Sequence, residues 1–493
     1  MGLSNKQEIA SQAGRLSAYQ LGQRLIDFAI TMALARILAP GDFGVVAAAA
    51  IFIQLAQLVV EIGVGATIVQ TPHLTDRDLR VAGTLVWTSA AFYFVATQAL
   101  AGAAGAFMGS PDVELAIRVL AFTFLFQGLS VVSENLLVKR LEAARVARQQ
   151  LIVRAIVGGG LGVALAALGW GYWALVGPSV VGALLRSVWT YSLVRPPIRP
   201  LYDRQTARRL MRKGMGFSAS KVINFVALRG DNALVGHLFS TATLGLYSRA
   251  YNLMSLPADL YGTIAERLVF PIFAKAQDDR PRLREQYLQG VEVTALIGLP
   301  LSVVLFTFGP EWIKTVLGGK WLEAIAPFQV LAVATYFRLG MKISGSVQRA
   351  RGAIRHMVGT QIIYASLVVA GCLVAYPFGL LAVCAAVSGG VVLAYLAITW
   401  SGLALTGVGV GEYLRAHLPG ALLALCVAAI AAPVALAGRA WGMGPALILL
   451  SFVVAAAPLG LVLLFLRPRP LLGEVGGQVA HSIASRFRRP RVS

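Results

Sequence analysis

Arg24 and Asp27 stand in the middle of an apolar run, YQLGQRLIDFAITMALARIL, and nearly the same pattern returns with Lys221 and Asn224 in KVINF. A cation among apolar residues offers two kinds of chemistry: charge-assisted hydrogen bonds to an anion such as a phosphate, or neutralisation of a neighbouring carboxylate. The Arg24–Asp27 spacing is compatible with both. Residues three or four apart share a helix face, so Gln20, Arg24, Asp27 and Thr31 form one polar stripe, and Lys221, Asn224 and Asp231 form another. Gln54, Gln57 and Glu61 follow in the second apolar run. A later run carries Arg249, Asn252, Asp259, Glu266 and Arg267, another carries Arg338, Lys342 and Ser346, and Arg229 lies beside Asp231.

These groups sort into two expected sets. Arg24, Lys221, Arg229, Arg249, Arg338 and Lys342, with Asn224 and Gln57, are candidate binding residues of a cavity that would suit an anionic ligand. Glu61, Asp259, Asp27 and Asp231 are candidate coupling residues, because a carboxylate in a desolvated helix favours its neutral form and takes up protons readily. Arg118, Arg154, Arg249 and Arg267 lie near the ends of apolar runs, where snorkelling to the interface is an equal alternative.

The elements that position these residues follow from composition. The chain is 493 residues long, 57% hydrophobic and 13% charged, with a mean hydropathy of +0.72. Apolar stretches long enough to cross a hydrocarbon layer recur from 15–38 to 444–466, about fourteen in all, so the expected fold is an all-α integral membrane protein. A charge at the bilayer centre costs on the order of 3 kcal/mol, so the polar stripes must face a wet cavity or one another.

The net charge of +21 suits nucleic acid only if the cations share one surface. They do not. Most lie in alternate loops, and the intervening loops hold only Lys314, Lys320 and Arg439. That bias predicts a multi-pass membrane protein with both termini cytoplasmic, in contact with membrane lipids and with no nucleic-acid partner. Cys372, Cys384 and Cys426 fall inside apolar runs and read as packing residues. The small residues at 33–35 follow a run that contains charge, which argues against a cleaved leader.

RLIDF and KVINF also begin a longer repeat: ILAPGDFGVVAAA is answered by LFSTATLGLYSRA, so that Gly44 matches Gly245, and GYWAL at 171–175 is echoed weakly by GLLAV at 379–383. Two parallel six-helix lobes are expected at 1–194 and 214–404, joined by a basic cytoplasmic linker at 195–213. Residues 405–493 then supply two additional helices and a basic tail. The linker, with Pro196, Pro197 and Pro200 before a basic amphipathic stretch, is expected to lie on the membrane surface.

Other motifs are weaker. Asp76-Arg77-Asp78 has the form of a metal-holding DxD but sits where a helix cap belongs, and Gly407-Val-Gly-Val-Gly411 lacks the strand a phosphate cradle needs. The five histidines show no metal-ligand spacing, no nucleophile-and-base constellation emerges, and neither a metal nor a cofactor is expected.

ARILAPGDFGVVA, VKRLEAARVARQQ, LRGDNALVGHLFSTATLGLYSRAYNL and ERLVFPIFAKAQDDRPRLREQY together resemble the polysaccharide-transport family of oligosaccharide flippases, in its colanic-acid and teichuronic-acid exporter branch. The resemblance covers most of 15–350, and it places the chain in the superfamily of the lipid II flippase and the multidrug extrusion transporters. It implies a V-shaped transporter, not an enzyme, that moves undecaprenyl-diphosphate-linked oligosaccharide repeat units outward by alternating access through a cationic central cavity. The implied pathways are exopolysaccharide, capsule or O-antigen synthesis, and the implied protein partners are a polysaccharide polymerase and co-polymerase. A multidrug or cation antiporter of the same superfamily is the alternative, although the arginines and lysines suit a small cation poorly. A polymerase or ligase of lipid-linked sugars would ordinarily need a large outer loop with reactive groups, and 309–323 is short.

Overall fold

The computed structural model describes residues 3–60, 64–71, 73–197, 199–212, 218–465, 470–473 and 477. Among them there is no strand. The principal helices are α1 (Leu3–Ile37), α2 (Pro40–Val60), α3 (Asp76–Phe107), α4 (Pro111–Lys139), α5 (Ala143–Ala167), α6 (Trp173–Leu193), the short α7 (Arg204–Arg212), α8 (Ser218–Leu238) and α9 (Thr241–Ile264). They continue as α10 (Arg280–Thr307), α11 (Thr335–Ala350), α12 (Ile354–Ala375), α13 (Leu380–Thr406), α14 (Leu418–Ala440) and α15 (Pro445–Phe465). The chain divides into two compact units, Met1–Gly245 and Leu246–Ser493.

Among the described residues, nine helices are long and apolar enough to cross a membrane, or ten if Gly319–Ala332 and Thr335–Ala350, bent by 43°, count as one broken span. The expected number was about fourteen. Helices α1, α6, α8 and α9 are long enough to cross but fall short of that apolarity, because they carry residues such as Arg24 and Asp27, Arg186, Asp231, and Arg249 and Asp259. The outward faces are unambiguous. Phe92, Val95 and Leu100 of α3, Leu425 and Leu436 of α14, and Val453 and Val454 of α15 are each more than 60% exposed, an arrangement that hydrocarbon tolerates and water penalises. The protein is a multi-pass membrane protein.

Helix boundaries follow local chemistry. Pro40 opens α2 at a position where a missing N–H costs nothing, and the Asp42 carboxylate accepts from the Ala39 N–H at 2.9 Å. At α3, Thr75 and Asp78 form a reciprocal capping box, so the second acid of the DxD sequence is a cap. Asp78 also pairs with Arg209 of α7, and Arg77 pairs with Asp203 at 3.3 Å. Ala207 of α7 is buried with Val81, Val132 and Leu136, so the amphipathic helix is docked on the first unit by both charge and packing.

Polar contacts between distant segments join partners that the sequence places on one side of the membrane. Lys139 donates to Thr71 O, Arg351 to Gln277 O, and Arg284 pairs with Glu412. On the other side, Tyr172 donates to Asp112 and Arg439 pairs with Glu311. The repeated glycines meet directly. A Cβ on Gly44 would lie 1.6 Å from Thr241 O and one on Gly245 would lie 1.9 Å from Pro40 O, so this crossing of α2 with the first turn of α9 admits only glycine.

Candidate functional site

Within the first unit, five helices turn polar side chains toward one cavity of about 300 Å³. α1 contributes Gln23 and Asp27, one turn apart, and α2 contributes Gln54 and Gln57. Gln127 comes from α4, Gln150 and Arg154 from α5, and Ser179 and Arg186 from α6, with Val46, Ile53 and Val153 among the apolar walls.

Irregularities in two helices shape it. Arg154 begins a π-helical segment, Arg154–Leu161, that runs through three consecutive glycines. The aliphatic part of Arg154 lies over Gly158, where an added Cβ would sit 3.4 Å from the arginine Cδ and 3.3 Å from Ile30. Pro178 interrupts α6 and withholds the N–H that would have bonded the Ala174 carbonyl. Gly162 approaches that carbonyl, with room for a Cβ only at 3.2 Å.

Arg154 Nε donates to Asp27 Oδ1 at 2.5 Å, and both side chains keep nearly half their surface open, 47% and 40%. Among the described residues Asp27 is its one hydrogen-bond partner, so most of the five guanidinium donors are left for a ligand or water. Arg186 donates to Gly182 O and lies within electrostatic reach of Glu134 and Arg154. Two guanidinium groups and one carboxylate therefore share a space ringed by five primary amides. Amides offer both donors and acceptors, which suits sugar hydroxyls, and guanidinium suits phosphate.

From the expected residues this cavity takes Gln57 and Asp27. Arg24 is exposed on the same helix, outside the lining. Arg229 is half-buried on α8, and Asp231 is buried and accepts from Asn232. In the second unit Arg338 lies over the Tyr251 ring at 4.6 Å, Lys342 flanks Gly262 one turn on, Asp259 is exposed and Arg249 is half-buried. Glu61 and the side chains of Lys221, Asn224 and Arg267 lie outside the described residues. Two of the arginines for which snorkelling was an equal alternative hold carboxylates: Arg154 as described, and Arg118 paired with Glu114 at 2.8 Å.

Sequence reading missed Gln127, Gln150, Arg154 and Arg186 as site residues. The available signal was an amide or guanidinium inside an apolar run. It also missed a buried network in the second unit. There Tyr336 and Tyr395 hydroxyls lie 2.9 Å apart, Tyr395 and Tyr413 2.5 Å, and Tyr287 bonds Ser344 at 2.9 Å. His417 Nδ1 faces Tyr413 O at 2.7 Å, which assigns it the proton and makes Nε2 the acceptor for Tyr336.

The fold is that of a membrane transporter. The lipid II flippase MurJ in an inward closed conformation superposes with a TM-score of 0.69 at 11% identity, covering 90% of this chain and 98% of that one. An inward-facing multidrug resistance MATE family transporter gives a TM-score of 0.57 at 16% identity, covering 78% and 95%. The profile of the family described as polysaccharide biosynthesis protein matches residues 33–326, more than half the chain, and the protein belongs to that family. The teichuronic acid biosynthesis protein TuaB of Bacillus subtilis is 26% identical over 309 residues, 60% of this chain and 62% of the relative. The succinoglycan biosynthesis transport protein ExoT of Rhizobium meliloti is 24% identical over 312 residues, 63% of this chain and 62% of the relative. The lipopolysaccharide biosynthesis protein WzxC of Escherichia coli is 24% identical over 339 residues, 65% of each. The match spans less than two thirds of the length of these relatives.

Proposed function

We propose that the protein is a flippase that carries undecaprenyl-diphosphate-linked oligosaccharide repeat units from the cytoplasmic to the periplasmic face of the inner membrane, by alternating access, for polysaccharide synthesis. The observation that carries this reading is the first-unit cavity, where amides for sugar hydroxyls and guanidinium groups for phosphate line one space inside membrane-spanning helices. Relatives whose names place them in succinoglycan transport and teichuronic acid synthesis support it, as does the fold shared with a lipid II flippase. The protein is then a carrier and not an enzyme. Both termini are cytoplasmic, the sequence repeat at 1–194 and 214–404 marks two lobes, and Arg24 and Lys221 join the substrate path.

The same fold serves multidrug export. A small lipophilic cation would meet two guanidinium groups in the lining, one facing Asp27 and the other within reach of Glu134, so the cavity offers it no net negative charge and that reading is disfavoured. Complementation tests the choice. Expression in a strain lacking its own polysaccharide flippase should restore surface polysaccharide, and Arg24→Ala or Lys221→Ala should impair it at unchanged membrane abundance. Failure to complement any such strain, with gained resistance to cationic drugs, would reverse the assignment.

A further inference from the structure

A second cavity, of about 340 Å³, lies in the first unit beside the N-terminal end of α3. Leu79, Gly83 and Trp87 of α3 form one wall, Leu129 and Val132 of α4 another, and Tyr191 closes the side toward α6. Its roof is Pro196, Pro197 and Pro200 of the strap between α6 and α7. Proline has no N–H, so this strap covers an apolar space without leaving donors unsatisfied in it. The strap is fastened at successive points: Ser133 donates to Val194 O at 2.9 Å, Arg80 to Arg199 O at 3.0 Å, and the Leu201 N–H to Thr84 Oγ1 at 2.9 Å.

The cavity opens toward lipid, since Trp87 is 42% exposed on the helix that also turns Phe92 and Val95 outward. The strap that roofs it carries two cations beside its prolines. Arg195 and Arg199 are exposed on the strap, and among the described residues neither pairs with an acidic side chain. An apolar slot between membrane helices with unneutralised arginines at its cytoplasmic edge matches the chemistry of an acidic lipid. The volume is at the small end of ligand pockets, roughly 300–1,000 Å³, and holds part of one acyl chain; a polyprenyl carrier is several times longer.

We propose that this cavity binds an acidic phospholipid, with an acyl chain beneath the proline strap and the phosphate at Arg195 and Arg199. The proposal rests on the topology that places the strap at the cytoplasmic face, and not on what the first cavity carries. Binding holds the strap, and α7 beyond it, against the first unit.

The test is native mass spectrometry of the full-length protein, titrated with dioleoylphosphatidylglycerol or with dioleoylphosphatidylethanolamine. Phosphatidylglycerol should bind more tightly on the order of tenfold, and Arg195→Gln with Arg199→Gln should abolish that preference while leaving chain binding. Gly83→Leu and Thr88→Leu fill the cavity and should lose the adduct, and since a Cβ at Gly83 meets nothing within 4 Å, Gly83→Leu should do so with unchanged melting temperature. Equal binding of the two lipids, or a retained phosphatidylglycerol adduct in either filled variant, overturns the proposal. So does displacement of the lipid by equimolar undecaprenyl phosphate, which would assign the slot to the carrier, or by inorganic phosphate, which would remove any role for the chain.

Discussion

The two units each gather polar side chains among membrane helices, and they do so in opposite ways. In the first, glutamines, Asp27, Arg154 and Arg186 surround an open space, and the charged pair is only half covered. In the second, Tyr287, Tyr336, Tyr395, Tyr413 and His417 close on one another, each tyrosine at most 7% exposed, in a core with Val291, Ile343 and Val347. An open charged cluster keeps water and leaves donors for a ligand; a closed neutral one satisfies its hydroxyls internally and acts as packing. The contrast teaches that polarity inside a membrane marks a site only where the groups leave hydrogen-bonding capacity unused.

The largest expected effect tests whether charge in the second unit is purely structural. Glu311 is 3% exposed and holds Arg439 through both oxygens at 2.8 Å. Glu311→Ala removes two charge-assisted hydrogen bonds, but the guanidinium left behind is 39% exposed and keeps its bond to Thr307 O, so the change should cost about 1.5–3 kcal/mol, seen as a lower melting temperature and less folded protein, with transport per folded molecule unchanged. Lost transport at full stability would break the comparison. Next, Tyr395→Phe removes the central hydroxyl of the closed network and should cost about 1–3 kcal/mol of stability, again without a transport defect in the protein that folds.

The open cluster should behave in reverse. Gln127→Leu and Gln150→Leu each remove an amide from the cavity wall, and export should fall roughly two- to tenfold at normal abundance. A stability loss instead would move these amides to the structural side.

The smallest effect concerns α7. The Thr206 hydroxyl and backbone N–H, followed by Arg77, hold the Asp203 carboxyl below the usual carboxylate range. A depressed folded pKa means that the cap's contribution is full above the unfolded value and is lost as pH falls through the folded one. Protection of the α7 amides, measured against their intrinsic exchange rates, should therefore be highest near neutrality and fall below the carboxylate range, and Asp203→Asn should flatten that dependence.

What the sequence made legible follows the same physics. Apolar runs of crossing length announce membrane helices, because hydrocarbon leaves the backbone no other partner, and the family shows in loop-flanking motifs such as ARILAPGDFGVVA. Gly44 and Gly245 were legible as a repeat, although their direct contact was not. The cavity was half legible. Asp27 and Gln57 stood out, whereas Arg154, near the end of its apolar run, read equally well as a snorkelling cation; in the structure it begins a π-helical segment and holds Asp27. The tyrosine network was invisible, since tyrosines in apolar runs read as ordinary core and only assembly of α10, α11 and α13 brings their hydroxyls together.

The central claim is that Arg154 serves a ligand and does not merely neutralise Asp27, and the Asp27–Arg154 double variant tests it most directly. Polysaccharide export and membrane abundance would be measured together for Asp27→Asn, Arg154→Gln and both changes combined. A charge-assisted bond to phosphate contributes about 1.5–3 kcal/mol, so Arg154→Gln should lower export on the order of ten- to a hundredfold. The double variant should remain as defective although equally abundant. Recovery of export in the double variant would show that the pair exists only to cancel charge, and would contradict the account.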